Sequence, residues 1–230
     1  MKKRKHLNHN LTREQRRAFR EAQVRRQKKL LLGLCGAFVI LAVWLLISLI
    51  PRREDKMHIN AACEGYRPQV EEVAARFGMS DYVDLILALM MQESSGKGPD
   101  VMQAAEGAYN TLYPQVPNGI TDTAYSIECG IQELKYAMDK AGVESPTDME
   151  GIKLALQAYN FGADSYFSYL EQNGHSVWTQ QSAEAFAQMA SGGQQRSEDN
   201  PLRDPAGPWD YGDQRYPEHV LRYYHPDGVE

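Results

Sequence analysis

Cysteine is scarce in this chain, and neither cysteine nor histidine forms the pattern of a metal site. The 230 residues include three cysteines and six histidines. No Cys-x-x-Cys pair occurs, and the histidines are scattered along the chain. Structural zinc sites use several Cys or His ligands at short, regular spacings, so the sequence predicts no metal site and no cofactor.

Strand-like alternation and internal repeats are also rare. The eleven prolines and eighteen glycines are scattered, which excludes a collagen-like or low-complexity chain. Apolar residues recur at helical spacing instead, as at Val70, Val73, Ala74 and Phe77. The sequence therefore predicts a mostly helical globular domain.

Charged side chains are absent from residues 30–50, a run of 21 residues. A helix of that length spans the roughly 30 Å of bilayer hydrocarbon, at about 1.5 Å per residue. Residues 1–29 hold twelve Lys/Arg and two acidic residues. Residues 51–230 hold thirteen Lys/Arg and 28 acidic residues. Because basic flanks remain in the cytoplasm, we predict a single-pass membrane protein with its N-terminus inside the cell and its acidic part outside.

A cleaved signal peptide is the alternative interpretation of this run. Signal peptides usually have an apolar core of about 7–15 residues and a small-residue cleavage site, whereas this run is longer and Pro51-Arg52-Arg53 follows it. An uncleaved anchor is favoured. The predicted segments are a basic cytoplasmic tail (1–29), a transmembrane helix (30–50), a stalk (51–61) and one exported domain (62–230).

The basic tail has two candidate partners. It could bind nucleic acid, or lie against anionic lipid at about 1 kcal/mol per basic residue near the membrane surface. No aromatic or groove-reading motif accompanies the charge. Membrane lipid is therefore the expected partner, and no nucleic acid is expected.

Helix boundary signals divide the exported domain. Gly78 and Gly142 each follow an amphipathic stretch, as is common at helix C-termini. Ser80 can cap the next helix, and Thr147-Asp-Met-Glu150 has the form of a capping box. Further helices are predicted near residues 183–190 and 220–224, with irregular loops at about 95–120 and 191–216.

One carboxylate requires an explanation from its surroundings. Glu93 follows the nearly unbroken apolar stretch from Val83 to Met91, so its side chain starts from a low-dielectric neighbourhood. It also stands at the predicted C-terminal end of a helix, where the macrodipole disfavours negative charge. Both effects raise the pKa of a carboxyl group, and an acid still protonated near neutral pH can act as a general acid. The alternative is a glutamate that turns to solvent as the helix ends.

Two further motifs follow in order. They are Asp100-Val-Met-Gln103 and, far downstream, Ala158-Tyr159-Asn160-Phe-Gly162. With Met91-Gln-Glu93 they resemble, in order and spacing, the motifs of the lysozyme-like peptidoglycan glycosidases. Within that superfamily the chain is most similar to the membrane-anchored muramidase domain of cell-wall hydrolases from Gram-positive conjugative elements. The resemblance covers about residues 62–225.

The resemblance implies a lysozyme-like fold of the α+β superfamily and a peptidoglycan substrate. The bond cleaved would be the β-1,4 bond between N-acetylmuramic acid and N-acetylglucosamine, with Glu93 as the general acid. Met102 and Gln103 would lie beside the scissile sugar, and Tyr159 and Asn160 would contact it across the groove. Ser94 and Ser95 are candidates for substrate contact, with helix cap and loop as their alternative role.

Asp100 has two interpretations. It stands just before a short predicted helix and can be its N-cap. It is also the nearest second carboxylate, which a glycoside hydrolase uses as base or nucleophile. The cap is favoured, and the two roles are compatible. The soluble lytic transglycosylases usually have glycine at this position, and the resemblance therefore favours hydrolysis by water.

Two other functions remain open at this point. A lytic transglycosylase would leave 1,6-anhydro ends, and a catalytically inactive domain would bind the wall or serve as a scaffold in a secretion channel. The resemblance implies a local opening of the wall for conjugation or secretion, with channel proteins as partners.

The two cysteines of the exported domain also have two interpretations. Cys35 lies in the apolar run, which leaves Cys63 and Cys129. In an oxidising exterior they can form one disulfide, and the alternative is two buried free thiols. We predict the disulfide.

Overall fold

The computed structural model describes residues 57–226, and this part of the chain is almost entirely helical. No β-strand occurs between residues 57 and 226, where Gln195 and Trp209 form an isolated antiparallel bridge. The helices are α1 (Ala61–Glu64), α2 (Arg67–Arg76), α3 (Val83–Glu93), α4 (Thr123–Ala141), α5 (Met149–Phe161), α6 (Ala163–Gln172), α7 (Gln180–Ala190), α8 (Arg203–Ala206) and α9 (Tyr216–Leu221).

The predicted membrane run, residues 30–50, lies outside the described residues, as does the basic tail. Among the helices from residue 57 to residue 226, none combines the length and the apolar character that crossing a bilayer requires. Of the predicted stalk, only residues 57–61 are described. There Met57 N donates to Arg222 O, and Asn60 caps α1, so these residues pack onto the domain.

Helix α3 lies at the centre of the core. Val83 and the six residues from Leu85 to Met90 are buried. The helix packs against α1, α2 and α9. Fully burying one such side chain contributes about 1.5–3 kcal/mol to the stability of the fold, so the core holds α3 firmly in place. The last residue of α3 is Glu93.

Helices α4 and α5 form the most extensive helix pair, and α5 also packs against α6 and α9. Gly130 lets the loop before α4 approach closely, because a Cβ there would lie 2.5 Å from the Cβ of Met102. The contact fixes that loop, which carries the Asp100-Val-Met-Gln103 motif, against α4.

Two predicted helix ends are confirmed and two predicted starts are wrong. Gly78 and Gly142 adopt left-handed backbone conformations with φ of 70° and 71° just beyond α2 and at the end of α4. Ser80 begins a single 3₁₀ turn, and α3 starts only at Val83. Helix α5 is capped by Asp148, whose carboxylate accepts from Gly151 N, rather than by Thr147.

The loop between α7 and α9 is largely irregular, as predicted, and polar side chains hold it in place. Arg196 is buried and donates to the carbonyl oxygens of Gly207 and Gly212 at 2.5 Å each. Gln214 is fully buried and bonds back to Trp209. Through these bonds the loop leads into α9 with a defined path.

Candidate active site

A cleft of about 600 Å³ opens beside the end of α3. Four carboxylates line it, and no lysine or arginine does so among the described residues. Four tyrosines add aromatic surface. The residues concerned are Glu93, Glu106, Glu133, Asp164, Tyr109, Tyr136, Tyr159 and Tyr211. Between residues 57 and 226 no group of three or more His, Cys, Asp or Glu side chains could hold a metal ion.

Glu93 lines this cleft. It is the last residue of α3, and its side chain is half-buried. Burial raises the pKa of this carboxyl group to about 7 from an ordinary value of 4.5. The charges of Asp100, Asp213 and Glu133 raise the pKa further, whereas a hydrogen bond from Tyr216 lowers it. Glu93 is therefore present as both acid and carboxylate near neutral pH.

Tyr216 is the partner that orients Glu93. Its hydroxyl donates to Oε1 of Glu93, and its ring is 2% exposed in the core. It comes from the first turn of α9, which packs against α3. Burial and the neighbouring Glu93 raise the pKa of Tyr216 well above its ordinary value, so the phenol stays a proton donor to the carboxylate.

The loop after α3 is organised around Asp100. This carboxylate is 1% exposed and does not line the cleft. Its Oδ1 accepts from Ala104 N at 3.0 Å and from Ser126 Oγ at 2.7 Å, and its Oδ2 accepts from Ala105 N at 3.2 Å. Three such bonds satisfy a buried carboxylate. No helix begins between Glu93 and Thr123, so the prediction that Asp100 is a helix N-cap is wrong. Asp100 instead holds the loop through these three bonds.

Gln103 reaches the cleft from the same loop. Its backbone has a φ of 50°, in the left-handed region that costs a residue with a side chain about 1 kcal/mol or more. Its Nε2 donates to Asp100 O at 2.9 Å and to Asn118 Oδ1 at 2.8 Å. Strain of this kind persists only where surrounding contacts hold it, and these two bonds are such contacts.

Tyr159 and Asn160 line the cleft from the end of α5. The Tyr159 hydroxyl donates to Met102 O at 2.8 Å and so joins α5 to the loop after α3. Asn160 Oδ1 accepts from Asp213 N at 2.7 Å, which joins α5 to the segment before α9. A backbone amide group is thus the polar partner of Asn160.

Four predicted site residues do not line the cleft. Met102 is fully buried against Gly130, and only its carbonyl oxygen faces Tyr159. Ser94 caps the end of α3 and donates to Val101 O at 2.8 Å. Ser95 Oγ donates to Met91 O at 3.2 Å. With Asp100, these residues shape the loop beneath the cleft, so the structure corrects the prediction that Met102 flanks the sugar.

Glu133 is the main cleft residue that the sequence interpretation missed. It lies on α4, half-buried, one helical turn before Tyr136. Burial raises the pKa of Glu133 to about 7, and the Asp100 charge adds to this, while hydrogen bonds from the backbone of Ala108 and Tyr109 lower it. The only sequence signal was an acidic residue one turn from a tyrosine on an amphipathic helix.

The predicted disulfide is wrong. Cys63 and Cys129 are both buried free thiols. Cys63 Sγ lies 3.9 Å from Met91 Sδ beside α3, whereas Cys129 Sγ lies 3.4 Å from Tyr109 O beneath the cleft. Cys63 is on α1 and Cys129 is on α4, and the two thiols are buried against different neighbours. Burial raises the pKa of each thiol to about 11.

Known proteins resemble the chain over this helical domain. The family model described as Lysozyme-like matches residues 61–224. Two relatives from Bacillus subtilis (strain 168) are each 34% identical: the bifunctional muramidase/DL-endopeptidase CwlT over 169 residues and the uncharacterized membrane protein YocA over 163 residues. These matches cover 74% and 67% of this chain, but 44% of CwlT and 65% of YocA.

A solved structure also resembles this chain over most of its length. A Staphylococcus aureus protein described as similar to lipoprotein, NLP/P60 family, superposes with a TM-score of 0.61 at 29% identity. The match covers 76% of this chain and 56% of that protein, so the chain spans only part of the length of these relatives. Since the family model extends over more than half of the chain and includes every cleft-lining helix, the protein belongs to the lysozyme-like family.

Proposed function

We propose that the protein cleaves peptidoglycan glycan strands at the β-1,4 bond between N-acetylmuramic acid and N-acetylglucosamine. The observation that carries the proposal is Glu93, a half-buried carboxyl group with a pKa of about 7 that lines the cleft. Glycosidic bonds break when an acid protonates the departing oxygen. Glu93 has both the proton affinity and the access to do this.

The walls of the cleft support a sugar substrate. Glu93, Gln103, Tyr159 and Asn160 were expected to meet around the scissile bond, and all four line one cleft. Four tyrosines offer faces for sugar rings, and amide groups offer hydrogen bonds. CwlT is described as a muramidase, and this supports the same reaction because the shared part of the two chains matches the Lysozyme-like family.

The step begins with Glu93 protonated. Its proton passes to O4 of the departing N-acetylglucosamine as the bond from C1 to O4 breaks. The positive charge that develops at C1 is stabilised by the carboxylates of the cleft. Water then bonds to C1 and loses one proton to a neighbouring base or to solvent, which leaves a reducing N-acetylmuramic end.

We propose further that the activity is confined to the wall next to the membrane. The uncharged run 30–50 and the opposite charges of its flanks support an N-in anchor. The relative YocA is described as a membrane protein, which is consistent with such an anchor. A local opening of the wall for a conjugation or secretion channel remains a prediction that rests on family resemblance.

The proposal is tested by product analysis. The full chain in detergent is incubated with purified peptidoglycan. The masses of the released muropeptides are measured by mass spectrometry before and after borohydride treatment. Reducing N-acetylmuramic ends that borohydride converts to muramitol support hydrolysis. Products about 18 Da lighter that resist borohydride indicate 1,6-anhydro ends and a transglycosylase. Intact glycan strands would contradict any glycosidase function.

A further inference from the structure

A second carboxylate in the cleft lining fills the space that a side chain on a neighbouring glycine would take. Glu133 projects from α4 towards the loop at Gly107. A Cβ on Gly107 would lie 1.5 Å from Oε1 of Glu133, so the carboxylate occupies the space of a side chain at that position. Glycine at residue 107 thus gives this carboxylate its place in the lining.

We propose that Glu133 is the base that receives the proton of the attacking water. Asp100, the other carboxylate near the loop, is buried away from the cleft and already accepts three hydrogen bonds. Glu133 lines the same cleft as Glu93. The inference rests on the proposed glycosidase function and names the residue that completes it.

The proposed step balances in atoms and protons. Glu93 gives its proton to O4 as the bond from C1 to O4 breaks, and the water oxygen forms the new bond to C1. The water proton passes to the Glu133 carboxylate. Exchange with solvent then returns Glu93 to its acid form and Glu133 to its carboxylate form, so no further reactant is needed.

The charges around Glu133 suit this role. Glu93, Glu106 and Asp164 share the cleft lining with Glu133. The burial of Glu133 and the charge of Asp100 raise its pKa to about 7, where a base both exists as carboxylate and accepts a proton readily. Glu93 must carry its proton and Glu133 must not, so the activity should fall on both sides of about pH 7.

The first test is Glu133→Gln in the full chain in detergent, with purified peptidoglycan as substrate. We expect kcat/KM to fall by about 10²-fold, the scale of general base catalysis. The fall in activity below about pH 7 (the acidic limb) should disappear, while the fall above about pH 7 (the basic limb) should remain. The reason is that Glu93 is then the only one of the two carboxyl groups that still titrates. Sodium azide should restore part of the rate and give a glycosyl azide, since this anion attacks C1 without a base.

The second test moves the carboxylate without removing it. Gly107→Ala puts a methyl group where Oε1 of Glu133 lies, and misplacement of a reacting group by about 1 Å can cost 10²-fold. The same substitution in a Glu133→Ala background should have no further effect. Glu128→Gln, on the same helix and paired with Arg76 at the surface, is the matched control and should keep full activity.

The outcomes separate this inference from the proposed function. Wild-type protein that releases no sugar ends would overturn both. Active wild-type protein with an unchanged rate and acidic limb in Glu133→Gln would overturn the role of Glu133 alone. Thermal unfolding shows whether Glu133→Gln is folded. If it is not, the activity of Gly107→Ala tests the role of Glu133 instead, and full activity of that variant contradicts the inference.

Discussion

Glu93 ends α3 and Asp100 lies seven residues later in the loop that follows, yet their surroundings are opposite. Asp100 is buried and accepts three hydrogen bonds from Ser126, Ala104 and Ala105. Glu93 lies at the cleft and accepts one side-chain hydrogen bond, from Tyr216. Both carboxylates lie near the same apolar helix, so an apolar neighbourhood alone does not distinguish the proposed acid from a residue that holds the loop.

The number of donors makes the difference. A buried carboxylate that accepts several hydrogen bonds from a loop holds the chain around it. A carboxylate with few donors in a low-dielectric setting keeps its proton to higher pH and can give it away. Glu133 also lines the cleft, and burial raises its pKa to about 7.

The largest effect is expected for Glu93→Gln. The amide keeps the shape of the side chain and can still accept from Tyr216, but it has no proton to give. Cell-wall lysis by the full chain in detergent should fall by 10²-fold or more, the usual scale for general acid catalysis. Glu128→Gln serves as control, and near-wild-type lysis by Glu93→Gln would refute the acid role.

Asp100→Ala should act on stability first. It leaves Ser126 Oγ and the amide groups of Ala104 and Ala105 without their acceptor. Unsatisfied buried donors cost about 1–3 kcal/mol each, and a loss of about 3 kcal/mol lowers the melting temperature by roughly 10 °C in a domain of this size. Calorimetry of the full chain, with exposed Asp81→Ala as control, measures it. An unchanged melting temperature would make Asp100 a catalytic candidate again.

The pH dependence of stability should report the raised pKa of Glu93. Between pH 4.5 and about 7 the unfolded chain has lost the Glu93 proton while the folded chain keeps it. Unfolding therefore becomes easier as pH rises through this window, by at most about 3 kcal/mol. Glu93→Gln lacks this titration, so it should be more stable than wild type at pH 8 and similar at pH 4.5. An equal difference at both pH values would argue against a raised pKa.

The smallest effect is expected for Tyr216→Phe. The phenol donates to Glu93 and lowers the pKa of the carboxyl group. Without it that pKa rises, and the basic limb of the activity profile should move to higher pH while the maximal rate changes little. The control is Tyr223→Phe, on a half-buried tyrosine outside the cleft lining. A shift to lower pH would contradict this interpretation of the contact.

Local signals carried much of the fold and part of the site. The apolar stretch before Glu93 and the glycines at 78 and 142 determine helix ends through backbone chemistry, and the structure agrees. Tyr216 could not be assigned, because its contact with Glu93 joins residues 123 positions apart.

Other residues depended on packing that no local pattern reveals. Glu133 belongs to the site only because Gly107 leaves room for its carboxylate. The disulfide prediction is wrong for the same reason, because Cys63 and Cys129 pack against different neighbours. Helix α6 was missed because it follows α5 after Gly162 alone, with no loop to mark a new start.

The titration of Glu93 itself tests the account most directly. The full chain in detergent, labelled with glutamate carrying ¹³C at Cδ, would be followed by NMR from pH 4 to pH 9, and the spectrum of Glu93→Gln would identify the resonance. The account predicts a midpoint at about pH 7. A midpoint near 4.5, the ordinary value for glutamate, would show a fully ionised carboxylate at neutral pH and contradict its role as the acid.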